Sequence, residues 1–232
     1  MGNKRLIVAI IIVILLIVAL IGGYLYLQNS TKQAKILQEE ATQLAQLDIT
    51  KEDINMQTKT TGKYAIVEET VKNYINDVKN MYNEMNNYCN DEAISQILSA
   101  ENIQADDEEL TVVEQKVNEY ASKLEEYRTK AETITDENTI MQKINEKNLS
   151  DYYVEIYRSI MLNEAVQANL SSTKTLIEEA QEEAWAKIEG LEEVVEFLAE
   201  NTRYWDIEDG KIQFTNVNKL TQYYQLLNGT VE

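Results

Sequence analysis

The sequence has no proline and no histidine, and it contains one cysteine and seven glycines in 232 residues. Proline ends a helix because it lacks an N–H group and its ring clashes with the preceding turn. Its absence therefore permits long uninterrupted helices. A β-rich domain of this size would need more glycine and proline in its turns, so the composition favours an all-α fold.

The missing histidine also removes several kinds of catalytic and metal site. Ser-His-Asp and Cys-His catalysis, imidazole zinc sites and Glu-x-x-His di-iron sites all need that side chain. The single cysteine allows no intramolecular disulfide, and we interpret Cys89, on an apolar helix face, as a core residue. We therefore predict no catalytic residue, no metal site and no cofactor, and we expect a protein that is not an enzyme.

Basic residues are scarce relative to acidic ones. The chain has 21 Lys and Arg against 40 Asp and Glu, which gives a net charge of −19. All forty acidic residues and nineteen of the basic ones follow position 27, so that part of the chain carries −21. Such a charge repels nucleic acid and anionic lipid headgroups. We expect no nucleic-acid partner, whereas basic partners, cations or a cationic wall polymer are permitted.

One long hydrophobic run occurs, at residues 6–27, which read LIVAIIIVILLIVALIGGYLYL without a charge. At about 1.5 Å rise per residue it forms a helix of roughly 33 Å, close to the ~30 Å hydrocarbon core of a bilayer. The run is longer than the apolar core of a cleaved signal peptide, and no A-x-A-like site follows it. We predict an uncleaved transmembrane anchor in contact with membrane lipid, marked by Leu6, Ile14, Gly22, Tyr24, Tyr26 and Leu27.

The charges beside this run predict its orientation. Lys4, Arg5 and the terminal amine precede it, whereas Lys32 and Lys35 follow it. By the positive-inside rule, this favours a single-pass protein of the cell membrane. The short basic N-terminus, residues 1–5, is then cytoplasmic and the large C-terminal domain extracytoplasmic. The bias is only three charges to two, and the reverse topology stays open.

The rest of the chain divides into three predicted segments. Residues 28–63 form a stalk or linker, in which a weak capping-box pattern at Thr50 and Asp53 predicts a short helix before a loop. Residues 64–201 form an extracytoplasmic bundle of antiparallel helices. Residues 202–232 form a cap made of a hairpin and a helix.

The bundle segment has the apolar spacing of a coiled coil. Apolar residues recur at alternating steps of three and four over residues 71–88 and 110–134, and a long amphipathic stretch covers residues 177–198. Such stripes must be buried against other helices. The polar run 171–173 predicts a break between two of these helices. We predict a seam formed by Val71, Val78, Met85, Leu110, Val117, Tyr120, Leu124, Tyr127, Ile188 and Val195.

The end of the chain predicts a β-hairpin followed by a helix. Apolar and polar residues alternate between Trp205 and Phe214 on both sides of Asp209-Gly210, a dipeptide that favours a type I′ turn. Because an isolated hairpin is marginally stable, its apolar face needs to pack on the helices. Residues 215–216 then supply the cap of a last helix.

Two further groups of residues, the acidic runs and the tyrosines, are candidates for a binding site. The acidic runs 106–109 and 178–183 carry oxygen ligands of the kind that Ca²⁺ prefers, but neither has the required spacing around a glycine. We interpret them as solvated helix faces, with residues 106–109 at a helix N-terminus. Tyrosines in the 74–88, 120–127 and 152–157 regions either line a ligand pocket or, as we favour, fill the core. Whether a small-molecule ligand binds stays open.

These features together favour a non-enzymatic, single-pass, membrane-anchored helical interaction or scaffold protein. We expect a subunit of a cell-envelope assembly that has a protein partner or associates with itself. One alternative is a sensor-like bundle that binds a ligand outside the membrane and acts through a partner. The other is a filament subunit of the pilin type, although the apolar run lacks the acidic residue and processing site expected there.

Overall fold

A computed structural model of the chain describes residues 32–90, 94 and 96–229. This part is mostly helical and has a two-stranded antiparallel hairpin near its C-terminal end, so the predicted all-helical class with a small hairpin is confirmed. The predicted anchor at residues 6–27 lies outside the described residues. Within the described residues, no helix combines the length and the apolar character needed to cross a membrane.

The secondary structure follows the chain in a simple order of helices, one hairpin and a final helix. A 3₁₀ turn at Thr202–Tyr204 precedes the strands β1 (Trp205–Glu208) and β2 (Lys211–Phe214). The helices are α1 (Lys32–Gln46), α2 (Lys63–Cys89), α3 (Ala100–Gln104), α4 (Thr111–Glu132), α5 (Glu137–Asn145), α6 (Asp151–Met161), α7 (Glu164–Glu200) and α8 (Val217–Leu227).

The described residues form two compact units. Unit 1 comprises residues 32–84 and 130–177, and unit 2 comprises residues 85–129 and 178–229. Each unit therefore joins segments that are distant in sequence. Unit 1 contains residues of both the predicted stalk and the predicted bundle.

Unit 1 is held by apolar packing and by a few hydrogen bonds from buried polar side chains. Tyr74 donates its hydroxyl to the Ile134 carbonyl at 2.8 Å, and Tyr157 donates to the Ile140 carbonyl at 3.1 Å. Burial raises the pKa of Tyr74 to about 12 and also raises the pKa of Tyr157. The core of this unit includes Leu37, Ala41, Leu44, Val67, Val71, Ile140, Ile144, Ile156, Ile160 and Met161.

The helix α1 belongs to this packing. Its Leu37 is 2% exposed, and the amide of Asn169 on α7 donates to the carbonyl of Ala45 at 2.9 Å and of Leu47 at 3.2 Å. These two bonds satisfy carbonyls at the C-terminal end of α1, which have no partner within the helix. Residues of the predicted stalk segment therefore take part in the core of unit 1.

Unit 2 buries side chains of α4 and of the second part of α7. Gln181 donates to the Leu124 carbonyl at 3.2 Å. The ring of Tyr88 stacks on Tyr120 with centroids 4.4 Å apart, and the Tyr120 hydroxyl donates to the Tyr88 carbonyl at 2.6 Å. Cys89 is 3% exposed, and burial raises the pKa of its thiol, which fits a core residue rather than a reactive one.

All ten residues of the predicted seam are buried, with exposed fractions between 0 and 7%. One of them has an unusual backbone, because Leu110 lies just before α4 with φ of 55°. Positive φ is costly for a bulky residue, so burial of this leucine holds the chain in a conformation that it would otherwise avoid. The buried set consists of Val71, Val78, Met85, Leu110, Val117, Tyr120, Leu124, Tyr127, Ile188 and Val195.

The predicted helix break at residues 171–173 is wrong, because α7 continues through it from Glu164 to Glu200. The hydroxyl of Thr173 donates to the Asn169 carbonyl at 3.0 Å, a bond that hydroxyl residues make inside helices. The break lies earlier, between α6 and α7. There the Asn163 side chain caps α7 by accepting from the N–H groups of Ala165 and Val166 at 2.9 and 3.0 Å.

The short helix predicted within residues 48–63 is also wrong. Asp48 accepts a hydrogen bond from the Thr50 N–H at 3.2 Å and from its hydroxyl at 2.6 Å. Such local bonds offer the backbone an alternative to a helix. The chain therefore makes a turn here and continues without regular structure to residue 61.

The hairpin has the register that the alternation predicts. Trp205 pairs with Phe214, and Asp209 and Gly210 form the turn with φ of 49° and 69°. Positive φ at both positions is the requirement of a type I′ turn. The Trp205 ring N–H donates to the Leu198 carbonyl at 2.9 Å, which ties the start of the hairpin to the end of α7.

Candidate functional site

The C-terminal helix α8 carries exposed apolar side chains. Of the six exposed large hydrophobic side chains among the described residues, three are scattered singly on other segments and three lie on this helix, Val217 (77%), Tyr224 (54%) and Leu227 (47%). With the half-buried Leu220, they are spaced by three, four and three residues, so they lie along one side of α8. We refer to Val217, Leu220, Tyr224 and Leu227 as the α8 stripe. Single exposed apolar residues are ordinary, whereas a contiguous group marks a contact surface.

A neighbouring side of α8 fixes the helix to the hairpin. The ring of Tyr223 lies 5.2 Å from that of Phe214, and Phe214 lies 6.2 Å from Phe197 on α7. The Lys219 ammonium sits 5.4 Å from the Phe197 ring centroid. Burial raises the pKa of the Tyr223 hydroxyl. Because these contacts engage Tyr223 and Lys219, Val217 and Tyr224 are left facing solvent, whereas Leu227 also lines an apolar groove beside Leu191 and Val194 of α7.

Local sequence explains where α8 begins and ends. The Asn216 side chain accepts from the N–H groups of Asn218 and Lys219 at 2.9 and 3.2 Å, which caps the first turn. Gly229 has φ of 62°, the left-handed conformation that commonly ends a helix. The stripe therefore lies on a helix with defined ends.

The α8 stripe lies on an almost uncharged helix. Residues 217–227 read VNKLTQYYQLL and contain one charged residue, Lys219, in a chain of net charge −19. The second part of α7 differs sharply, because exposed glutamates recur along it at 182, 183, 189, 192, 193 and 196. The α8 stripe therefore lies on a helix with one charge, in contrast to the acidic second part of α7.

The acidic run at residues 106–109 acts as a helix cap. The Asp107 carboxylate accepts from the Thr111 N–H at 3.0 Å, and Asp106 accepts from the N–H groups of Val112 and Val113 at 3.0 and 2.7 Å. The bond from the Thr111 backbone is the main reason that the pKa of Asp107 lies below its usual value. In the part of the chain that the structure describes, no group of three acidic or cysteine side chains is placed to hold a metal ion.

We expect Asp107→Ala to loosen the first turn of α4. The change leaves the N–H groups of Glu109 and Thr111 without their side-chain acceptor. Amide hydrogen exchange should therefore be faster at these positions, while protection at Leu124 in the middle of α4 stays the same. Glu108→Ala is the matched control, and equal loss of protection in both variants would contradict the capping role.

A buried ion cluster forms the second unusual feature of the molecule. Its members are Glu40 on α1, Lys59 in the following loop, and Glu68 and Lys72 on α2. The Lys72 ammonium donates to Glu68 at 2.6 Å, to Glu40 at 2.9 Å and to the Gln57 carbonyl at 2.8 Å. Lys72 and Glu68 are each 1% exposed. Because two lysines face two glutamates, the charges within the cluster balance.

The cluster fastens the loop before α2. The Glu68 carboxylate accepts from the Thr60 N–H at 2.8 Å, from the Thr60 hydroxyl at 2.7 Å and from the Lys59 N–H at 3.0 Å. Burial raises the pKa of Glu68, but these bonds and the one from Lys72 outweigh it and hold the pKa below its usual value. For Lys72, burial lowers the pKa, whereas its bonds to Glu68 and Glu40 raise it above its usual value overall.

The direction of the Glu68 shift predicts a pH dependence. A carboxyl whose pKa is lowered by folding stabilises the protein above its unfolded pKa of about 4.3, and that stabilisation is lost as the pH falls through the folded value. Glu68→Gln should therefore be less stable than the wild type at pH 7. The difference in free energy of unfolding between the wild type and this variant should narrow below about pH 4, because the wild-type carboxyl is then protonated.

Urea unfolding at a series of pH values measures this gap. Glu69→Gln is the control because Glu69 is exposed and accepts a hydrogen bond from the Thr58 hydroxyl at 3.2 Å. A gap between wild type and Glu68→Gln that stays constant from neutral to acid pH would contradict the assignment.

An open groove of about 510 Å³ lies in unit 1. Lys130, Thr133, Thr139 and Lys143 contribute polar groups to it. The Tyr74 hydroxyl also lines the groove but donates to the Ile134 carbonyl. In unit 2, Tyr88 packs against Tyr120 and Tyr127. Tyr120 and Tyr127 are buried, but Tyr88 and Tyr120 also line a second open groove, so these tyrosines contribute both to the core and to groove walls.

Comparisons of the chain with protein-family models, curated proteins and solved structures found no match. Function therefore has to be argued from the sites themselves.

The sequence predicted part of these sites. The seam residues are buried, and Trp205, Asp209, Gly210 and Phe214 form the hairpin as expected. The spacing of Leu220, Tyr224 and Leu227 predicted the last helix, but not that its stripe would stay exposed. The ion cluster was missed because Glu68 and Lys72, four residues apart, have the spacing of an ordinary surface pair.

Proposed function

We propose that the protein is a non-enzymatic, membrane-anchored helical interaction protein and a subunit of a cell-envelope assembly. The α8 stripe carries this proposal, because it presents apolar side chains to solvent on a helix that is already fixed by its other side. Such surfaces in soluble domains mark sites where another molecule binds. The absence of histidine from the sequence supports a binding role over most kinds of catalysis.

The anchor supports a location at the membrane. In this proposal residues 6–27 span the cell membrane, the N-terminus is cytoplasmic and units 1 and 2 are extracytoplasmic. The charge of −21 after position 27 fits this arrangement, since acidic surfaces are repelled by anionic headgroups and stay clear of the membrane.

Affinity purification from membranes tests the proposal. The wild-type chain should recover a defined protein, either another chain or a second copy. Recovery should be lost in Val217→Lys/Tyr224→Lys, because lysine in a buried apolar contact has no partner. Asn218→Lys/Gln222→Lys adds the same charge at exposed positions outside the stripe and should recover the protein unchanged. A wild-type chain that recovers nothing, even when intact membranes are chemically cross-linked before solubilisation, would contradict the proposal.

Protease treatment of intact cells tests the topology separately. If units 1 and 2 are extracytoplasmic, a protease that reaches the outer face of the membrane should digest them without permeabilisation. Digestion only after the membrane has been permeabilised would reverse the assignment and leave the α8 stripe in the cytoplasm.

A sensor-like role has one observation in its favour, the open groove of unit 1. It is lined by Lys130 and Lys143 and also by two carboxylates, and Lys143 lies 3.8 Å from one of them, Asp77, so the groove is suited to a small molecule that carries both charges. A ligand at a hundred times its Kd should stabilise the protein by about 2.7 kcal/mol. A thermal-shift screen with amino acids and other small zwitterions measures that gain, and Lys143→Met should abolish it.

A further inference from the structure

We infer that the α8 stripe binds a second copy of this chain through that copy's own α8 stripe. This inference rests on the proposed function, in which the stripe is the contact surface, and adds the identity of the partner. Three observations carry it: the spacing of the stripe, its lack of charge, and the acidity of the surface next to it.

The spacing makes the stripe complementary to itself. Val217, Leu220, Tyr224 and Leu227 follow the three-and-four rhythm with which two helices pack side by side. A two-fold contact uses the same patch on both copies, so a patch that can pack on itself needs no other partner. The stripe has one large aromatic residue among three aliphatic ones, so Tyr224 of one copy can pack beside the smaller side chains of the other.

The charge distribution selects a second copy over a basic partner. A basic protein would be attracted to the exposed glutamates of α7, such as Glu192 and Glu196, rather than to α8. A second copy carries the same net charge of −19 and is repelled by every acidic surface. It can approach closely only where that charge is missing. Residues 217–227 provide such a place, with one charge and that one positive.

The size of the stripe predicts where the contact forms. Stable interfaces bury roughly 1,200–2,000 Å² in total, and four side chains from each copy supply less than that. The contact is therefore weak in dilute solution and forms when both copies are held in one membrane by residues 6–27. Confinement raises the effective concentration of one copy at the other without any new contact.

Cross-linking of the full chain in phosphatidylcholine vesicles tests the inference. Tyr224→Cys places a thiol on the stripe, and Gln222→Cys places one at an exposed position outside it. A short bis-maleimide should join two copies of Tyr224→Cys but not of Gln222→Cys. The wild type is the blank, because its only cysteine, Cys89, is 3% exposed. Labelling with a single maleimide checks that both introduced thiols are equally accessible.

Two further measurements test whether the contact is apolar and whether both partners are acidic. Adding Val217→Lys to Tyr224→Cys should lower the cross-linking yield by about tenfold, because the lysine would be buried without a counter-charge. Raising the salt from about 50 mM to about 300 mM should increase the yield, because salt screens the repulsion between two acidic copies. A contact with a basic partner has the opposite salt dependence.

The outcomes separate this inference from the proposed function. Equal cross-linking of Tyr224→Cys and Gln222→Cys, or no effect of Val217→Lys, would overturn the homotypic contact. If cross-linking is absent while membranes still yield another protein in a stripe-dependent way, the homotypic contact fails and the proposed function stands. If cross-linking is absent and lipid alone protects the thiol of Tyr224→Cys, the stripe binds the membrane surface, and both fail.

Discussion

Replacing Lys72 with methionine is expected to lower the free energy of unfolding by about 3–5 kcal/mol. Lys72 is 1% exposed and donates to both Glu40 and Glu68. Without it, two buried carboxylates lie close together with Lys59 as their only counter-charge within the cluster. Removing one partner of a buried ion pair is costly because the other charge stays in a poorly solvated place. Urea unfolding followed by circular dichroism measures the loss.

A control on the same unit separates burial from charge. Lys51→Met also removes a lysine that pairs with a carboxylate, Asp48, at 2.7 Å, but the Lys51 side chain is 79% exposed. Solvent screens exposed pairs, so this change should have a far smaller effect than Lys72→Met. Similar losses in the two variants would mean that the cluster is solvated and that its members act as independent surface pairs.

The Lys72 variant should also release the loop before α2. The Lys72 ammonium holds the Gln57 carbonyl at 2.8 Å and orients Glu68, which accepts from Thr60 and Lys59. We expect faster amide hydrogen exchange at Lys59 and Thr60 in Lys72→Met than in Lys51→Met. Unchanged protection at these two N–H groups would show that the loop is held by other contacts.

The parts of the fold that the sequence predicts well are those that depend on local spacing. The alternation around Asp209-Gly210 predicts the hairpin because a two-residue turn between the strands places their apolar residues on one side, and Asp-Gly favours such a turn. The three-and-four rhythm over residues 110–134 predicts α4 for a similar reason. Each of these patterns lies within one short segment, so it can be recognised without knowledge of distant residues.

The parts that the sequence does not predict depend on partners far away along the chain. Glu40 and Lys72 are 32 residues apart, and Asn169 reaches the end of α1 from 124 residues away. The spacing of apolar residues within one segment does not indicate which distant segment it will contact. The sequence also misplaces the break between α6 and α7. Asn163 caps α7 at that break, but the serines and threonine at residues 171–173 are equally common helix caps and predict the break there.

The candidate site, too, is predicted by the sequence only in its local features. The apolar spacing of α8 predicts a helix and an apolar stripe, since both follow from the order of residues 217–227. Whether a stripe is covered depends on what packs against it. Tyr223 and Lys219 occupy the hairpin side of α8, so the stripe at Val217 and Tyr224 is left exposed. Which side of α8 is covered can be seen only in the three-dimensional structure.

Truncating Leu124 to alanine is expected to cost about 2–5 kcal/mol of stability, the range for a large-to-small change in a packed core. Leu124 is fully buried in the middle of α4 and belongs to the predicted seam. Its backbone carbonyl accepts from Gln181, a bond that the substitution leaves in place. The loss therefore reports side-chain packing alone, and urea unfolding measures it.

Val112→Ala on the same helix is the matched control, because Val112 is 49% exposed. Removal of its methyl groups leaves no buried cavity, so the variant should stay close to the wild type. If Leu124→Ala were as mild as this control, the heptad rhythm of α4 would be an accident of composition and not the packing surface of unit 2. A large loss confined to Leu124→Ala would show that the rhythm read from the sequence marks the residues that hold this unit together. That unit carries α8, so Leu124→Ala should also weaken any contact made by the stripe, whereas Val112→Ala should leave the contact unchanged.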